Sequence, residues 1–281
     1  MRPKQWTKNL VLLAGIIFDR QLNNPISVLR VLIALIIFSL LSGIIYIIND
    51  LIDIDFDRQH STKQLRPIAS GKLTKRKGFI AVILLGLVIF TSAFLLSFAF
   101  GLVCIGYFLL MLAYSKWLKH IVLIDVMVIA AGFVLRMVAG IVVIKVTYFS
   151  PWLFMVTTLL ALFLGFGKRR AEMTLRTDKI PKTRKVLDGY TIPFLDMLII
   201  IVLCATLLTY SLYTFSTSTT PQNYYMMFTI PIVLYGLFRY LYLIKVKNFG
   251  GAPEEILISD HPTQIAIALW VITVLTIIYI L

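Results

Sequence analysis

The chain has 281 residues, 59% of them hydrophobic and 14% charged, with a formal net charge of +14. A mean hydropathy of +0.91 excludes an ordinary soluble domain and predicts an all-α, polytopic membrane helix bundle. A strongly positive balance on few polar loops points to anionic neighbours, either lipid headgroups or phosphorylated substrates, with no nucleic acid among the expected partners.

In chain order, the first apolar run is Leu10 to Phe18, bounded by Lys8 and Asp19 and lacking a small-residue cleavage site. Runs at 26–48, 78–97, 99–115, 121–144, 150–167, 192–215, 224–244 and 263–281 follow. Most are close to the ~20 residues that cross a bilayer, and each must be helical because lipid offers the backbone no hydrogen-bond partner. If Leu10 to Phe18 is a ninth, short or tilted span, the N-terminus shares one side with the loops at 50–77, 116–120, 168–190 and 239–247. Of the 27 Lys and Arg residues, only Arg20, Arg30 and Lys145 then lie opposite, and Arg136 falls inside a span. This asymmetry obeys the positive-inside rule, so about nine spans and a cytoplasmic position for the two large polar loops are expected. With eight spans the basic N-terminus would lie outside. Cys104 and Cys204 sit within apolar runs without metal-ligand company and read as packing residues.

The stretch NDLIDIDFDR, residues 49–58, closes the second run. On a helix Asn49, Asp50, Asp53 and Asp57 share an arc of about 100°, with Asp55 on the other side. Carboxylates crowded at a membrane boundary repel and resist desolvation, an arrangement that a divalent cation would resolve. Hard oxygen ligands suit Mg²⁺, which usually completes its shell with water and substrate phosphate. The competing reading is a solvated acidic helix end paired with Arg58, Lys63 and Arg66.

NDxxDxxxD followed by Lys63-Gln-Leu-Arg66-Pro67 resembles the UbiA superfamily of intramembrane transferases. Arg2-Pro-Lys4-Gln-Trp6-Thr-Lys8-Asn9 and Tyr114-Ser115-xx-Leu118-Lys119 extend the likeness over essentially the whole chain, read as one domain, 1–281. The resemblance implies nine helices around a central cavity capped by cytosolic loops in the plasma or inner membrane, and Mg²⁺ on a substrate diphosphate. The aromatic prenyltransferases of the superfamily are expected to carry a second Asp-rich motif on the later loop. Here that place reads Gly167-Lys168-Arg169-Arg170-Ala-Glu172-Met-Thr-Leu-Arg176 and is dominated by cations.

A cationic second loop suits a metal-bound diphosphate on one substrate and separate monophosphates held by Arg and Lys. Together these motifs resemble the decaprenyl-phosphate phosphoribosyltransferase branch. That likeness implies phosphoribosyl pyrophosphate as donor, a polyprenyl phosphate as acceptor and a place in cell wall biosynthesis. Asp50, Asp53 and Asp57 are the expected metal-binding and catalytic acids, with Asn49 orienting a ligand or water. Lys8, Lys63, Arg66, Tyr114, Lys119, Arg136, Lys168, Arg169, Arg170 and Glu172 are the expected substrate-binding residues, Lys168 and Arg169 foremost for phosphate. Arg136, a charge within a span, is expected to face a polar cavity, and Asp125, three turns earlier, to pair or to touch ligand. The alternatives are prenyl transfer from a prenyl diphosphate to an aromatic acceptor and, from another class, a transporter. Acids at the interface rather than mid-membrane count against the transporter. A homo-oligomer is compatible with the sequence and is not specified by it.

Overall fold

A computed structural model describes residues 3–59, 63–146, 150–174, 185–216, 224–247, 249 and 253–281. Most of those residues are helical, and none of them forms a strand. Eight helical stretches are long and apolar enough to cross a membrane. They contain α2 (Pro25–Ile52), α4 (Lys75–Leu96), α5 (Phe98–Lys116), α6 (Ile124–Ile144), α7 (Pro151–Thr174), α8 (Ile192–Ser216), α9 (Ile230–Lys245) and α11 (His261–Tyr279). The shorter helices are α1 (Leu13–Phe18), α3 (Ile54–Gln59) and α10 (Pro253–Ser259).

The N-terminal stretch also crosses the bundle, although its apolar run is short. A 3₁₀ segment, Pro3–Leu12, runs into α1. Because a 3₁₀ turn rises ~2.0 Å per residue against ~1.5 Å in an α-helix, these residues reach about 29 Å, close to the ~30 Å hydrocarbon core. Side chains mark the path antiparallel to α2: Tyr46 to Gln5, Asn9 to Ser39 and Ser42, and Ser27 to Gln21. Gly140 makes room for this stretch on α6, since a Cβ there would lie 2.0 Å from the Leu12 carbonyl oxygen.

Helix starts follow local chemistry. Asn24 Oδ1 accepts from the amides of Ile26 and Ser27 ahead of α2, with Pro25 in its first turn. Thr74 caps α4 and Asp260 caps α11 in the same way. Extended Ser97 alone separates α4 from α5. At the far face Arg30 donates to the carbonyls of Leu96 and Val143, placing a cation on two helix C-termini.

One core joins the N-terminal stretch to α2, α4, α5 and α6. A second joins α6, α7, α8 and α9, together with Val186, Tyr190 and Ile256. A third packs α8, α9 and α11 beneath Phe18 and Trp152. Up-and-down threading brings the ends of α2, α5, α7 and α9 and the starts of α4, α6, α8 and α11 to one face, which carries the polar loops. The α5–α6 connection lies between the first two cores.

Candidate functional site

The acidic stretch does not continue as one straight helix. α2 ends at Ile52, Asp53 adopts φ −94° and ψ 15°, and the chain bends into α3. Two backbone bonds survive the bend, Asp53 N to Asn49 O at 2.9 Å and Asp57 N to Asp53 O at 2.8 Å. The bend divides the carboxylates between two cations. Arg66 Nη1 lies 3.2 Å from Asp50 Oδ1 and 2.5 Å from Asp57 Oδ2. Asp53 instead accepts from Lys119 Nζ at 2.7 and 3.0 Å. Asp55 is exposed, as its place on the opposite arc predicts, and Arg58 turns to the Ala69 carbonyl.

The second polar cluster is built on α7. Arg169, 1% exposed, donates from Nε to Asp125 Oδ2 at 2.6 Å and from Nη1 to Glu172 Oε2 at 2.8 Å, and Nη2 lies 3.5 Å from the Tyr114 hydroxyl. Asp125 is fully buried and accepts at its other oxygen from Tyr190. Arg170 pairs with Asp196 and donates to the Ile244 carbonyl, and Lys245 supports Asp196 at 3.3 Å. Arg169 thus engages protein partners through Nε, Nη1 and Nη2, and Arg170 through Nε and Nη1. The cause is close helix packing: a Cβ on Gly165 would meet Val126 at 2.6 Å, and one on Gly167 would meet Ile244 at 2.7 Å. These glycines draw α7 against α6 and α9 and carry both arginines inside.

Arg136 is also buried. Its Nε donates to Asn9 Oδ1 at 2.9 Å, its Nη2 to the Tyr107 hydroxyl at 2.5 Å, and its guanidinium packs over the Tyr107 and Phe133 rings. It anchors the N-terminal stretch to α5 and α6, while Asp125 pairs with Arg169 instead. Lys8, Asn49, Lys168 and Glu172 are half-buried. The side chain of Lys63 and the whole of Arg176 lie outside the described residues.

The structure therefore brings Asp50, Asp57 and Arg66 together, Asp53 and Lys119 together, and Tyr114, Arg169 and Glu172 together. Sequence reasoning passed over Tyr190 and Asp196. Asp196 had a legible signal, a lone acid inside the 192–215 apolar run. Tyr190 had none, since a tyrosine at a span boundary is ordinary.

Among the described residues, no three His, Cys, Asp or Glu side chains gather around one point as a ready metal site. Two carboxylates do converge, with Asp50 and Asp57 on one arginine nitrogen. Mg²⁺ is commonly held by one or two carboxylates, waters and substrate phosphates. The donor set is hard and anionic, with Asp50 partly exposed and Asp57 buried, and it fits such an ion once phosphate is present to engage Arg66.

An all-helical, multi-pass membrane protein with a charge-paired site at one face has the architecture of an intramembrane transferase. The chain belongs to the UbiA prenyltransferase family, whose model matches residues 10–252. It is 33% identical to a decaprenyl-phosphate phosphoribosyltransferase of Corynebacterium glutamicum, covering 100% of this chain and 86% of that protein. It is 30% identical to the decaprenyl-phosphate phosphoribosyltransferase of Mycobacterium tuberculosis, over 98% of this chain and 91% of that protein. Among solved structures, a UbiA homologue from Archaeoglobus fulgidus bound to DMAPP and Mg²⁺ superposes with a TM-score of 0.76 at 17% identity, covering 100% of this chain and 98% of that one. This last likeness concerns the fold.

Proposed function

We propose that this enzyme transfers the 5-phosphoribosyl group of phosphoribosyl pyrophosphate to a polyprenyl phosphate, giving polyprenylphosphoryl-5-phosphoribose and pyrophosphate. The observation that carries the reading is end-to-end likeness, at 30–33% identity, to proteins named for decaprenyl-phosphate phosphoribosyl transfer. The site's chemistry is consistent with it. One face presents an acidic cluster, already matched to Arg66 and Lys119, beside a second cluster in which Arg169 and Arg170 meet their own acid partners.

The ribose C1 to oxygen bond breaks with its electron pair leaving on pyrophosphate, and a polyprenyl phosphate oxygen forms the new bond to C1 from the opposite face, with inversion. The acceptor is ionised at neutral pH, so no general base is needed. Asp50 and Asp57 would hold Mg²⁺, with Asp53 joining them once phosphate takes up Lys119, and the ion would supply charge neutralisation for the leaving pyrophosphate. Arg66 and Lys119, held against those carboxylates, are placed to donate to phosphate oxygens as the leaving group gains charge. Lys168 and Lys8 are the cations proposed for the ribose 5-phosphate and the acceptor phosphate. Tyr114 and Glu172 are proposed for the ribose hydroxyls. Arg169, Arg170 and Arg136 serve as framework that holds these groups in place.

The positive-inside asymmetry supports a site facing the cytoplasm from the plasma or inner membrane. The test is a membrane assay with labelled phosphoribosyl pyrophosphate and polyprenyl phosphate, with Mg²⁺ and then with chelator. Label should enter the organic phase only with Mg²⁺. Consumption of a prenyl diphosphate without such labelling would move the assignment to prenyl transfer.

A further inference from the structure

The connection between α5 and α6 holds a strained residue that the transfer chemistry does not explain. Leu123, at the N-cap of α6, has φ 68° and ψ −47°. This is the left-handed half of backbone space, where a Cβ crowds the chain and a non-glycine residue is uncommon. Its dihedrals lie near those of the rare, strained γ-turn, and such a residue persists only where its surroundings over-determine it.

The surroundings here are few and identifiable. The Leu123 amide donates to the Tyr190 hydroxyl at 2.7 Å, and that hydroxyl donates to Asp125 Oδ1 at 2.7 Å. Asp125 is held in turn by Arg169. Tyr190 is 3% exposed. Burial, with the bond to Asp125, pushes its phenol above the usual tyrosine range, so it stays a proton donor at physiological pH. The approach depends on the preceding residue. A Cβ on Gly189 would come within 2.4 Å of Val122 Cγ2, a β-branched side chain with little freedom to move away. Four residues before Leu123, Lys119 reaches Asp53.

We propose that Tyr190 is a positioning residue: by pinning the strained Leu123 backbone it sets the turn that delivers Lys119 to Asp53. The segment leading into α8 is thereby coupled to the acidic cluster at the end of α2. The consequence for turnover rests on the proposed function, in which Lys119 and Asp53 meet the diphosphate and its metal.

Tyr190→Phe keeps the ring and removes the hydroxyl. Hydrogen exchange at the Leu123 amide should accelerate at least tenfold, and Lys119, released from Asp53, should react faster with an amine-acylating reagent. The KM for phosphoribosyl pyrophosphate should rise about tenfold, the weight of one hydrogen bond to a charged group, with a smaller change in kcat. Glycine adopts positive φ without penalty, so adding Leu123→Gly to Tyr190→Phe should restore the KM and the Lys119 protection while the 123 amide stays unprotected. A merely structural Tyr190 would give no such rescue. Unchanged Lys119 reactivity in Tyr190→Phe, or a double variant no better than the single one, overturns the proposal. The exchange and acylation measurements need no substrate. Failure of the wild type to transfer phosphoribosyl, with both responses still seen in Tyr190→Phe, would therefore refute the functional reading and leave the coupling standing.

Discussion

Lys119 and Asp53 are 66 residues apart in sequence and meet through both carboxylate oxygens, at 2.7 and 3.0 Å. The contact joins the α5–α6 connection to the bend between α2 and α3, and it makes the lysine part of the acidic site. A charge-assisted bond of this kind contributes about 1.5–3 kcal/mol. Lys119→Met should therefore lower kcat/KM by roughly 10- to 100-fold. Steady-state kinetics with purified protein checks this, and a value within twofold of wild type would remove Lys119 from the site.

Asp50 and Asp57 share Arg66, so each acid can be neutralised at constant shape. Asp50→Asn and Asp57→Asn should each cost about 100-fold or more in turnover. Both variants should still insert in membranes and elute as monodisperse protein, because Arg66 retains the other acid. Raising Mg²⁺ should recover part of the loss, which a magnesium titration of each variant would reveal.

The Asp125–Arg169 pair is buried from both sides, with 0% and 1% side-chain exposure. Removing Arg169 leaves Asp125 as an uncompensated buried charge and should cost about 3–5 kcal/mol, whereas removing Asp125 leaves Arg169 paired with Glu172 and, like replacing both by apolar residues of similar volume, should cost less. Thermal unfolding in detergent should thus rank Arg169→Met below both Asp125→Leu and the double variant. The reverse order would mean the pair is not isolated from water.

Asp260 caps α11 and accepts from Arg239 at 2.8 and 3.2 Å. The Arg239 bonds come first, and those from Thr263 add to them, in holding this carboxyl far below the usual carboxylate range. A depressed folded pKa stabilises above the unfolded value of ~3.9 and loses that contribution as pH falls through the folded value. The deficit of Asp260→Asn relative to wild type should therefore be constant from pH 8 to 5 and narrow below about pH 4. Melting curves across that range test it, and a gap that closes already by pH 6 would contradict the assignment.

The membrane-length helices were legible because a run of about 20 apolar residues has one stable form in lipid. The N-terminal crossing was only half legible. Leu10 to Phe18 is too short as an α-helix, and the 3₁₀ rise of Pro3–Leu12 that completes the span leaves no mark in hydropathy. The acidic motif was readable from its spacing, but its division at Asp53 was not. Which acid faces which cation depends on how the 66 and 119 segments fold back. Arg169 and Arg170 show the same limit. Sequence supplies their charge, whereas burial comes from the approach of α6 and α9 to Gly165 and Gly167. Leu123 carries no sequence mark of its positive φ, since glycine or asparagine is the usual residue there.

Purified protein in liposomes should be given phosphoribosyl pyrophosphate labelled in the ribose, a polyprenyl phosphate and Mg²⁺, and the organic phase followed for label. Lipid-linked phosphoribose should form in step with pyrophosphate release, and both should be abolished by chelator and by Asp50→Asn. Pyrophosphate released from an added prenyl diphosphate, with no ribose label in lipid, would contradict it.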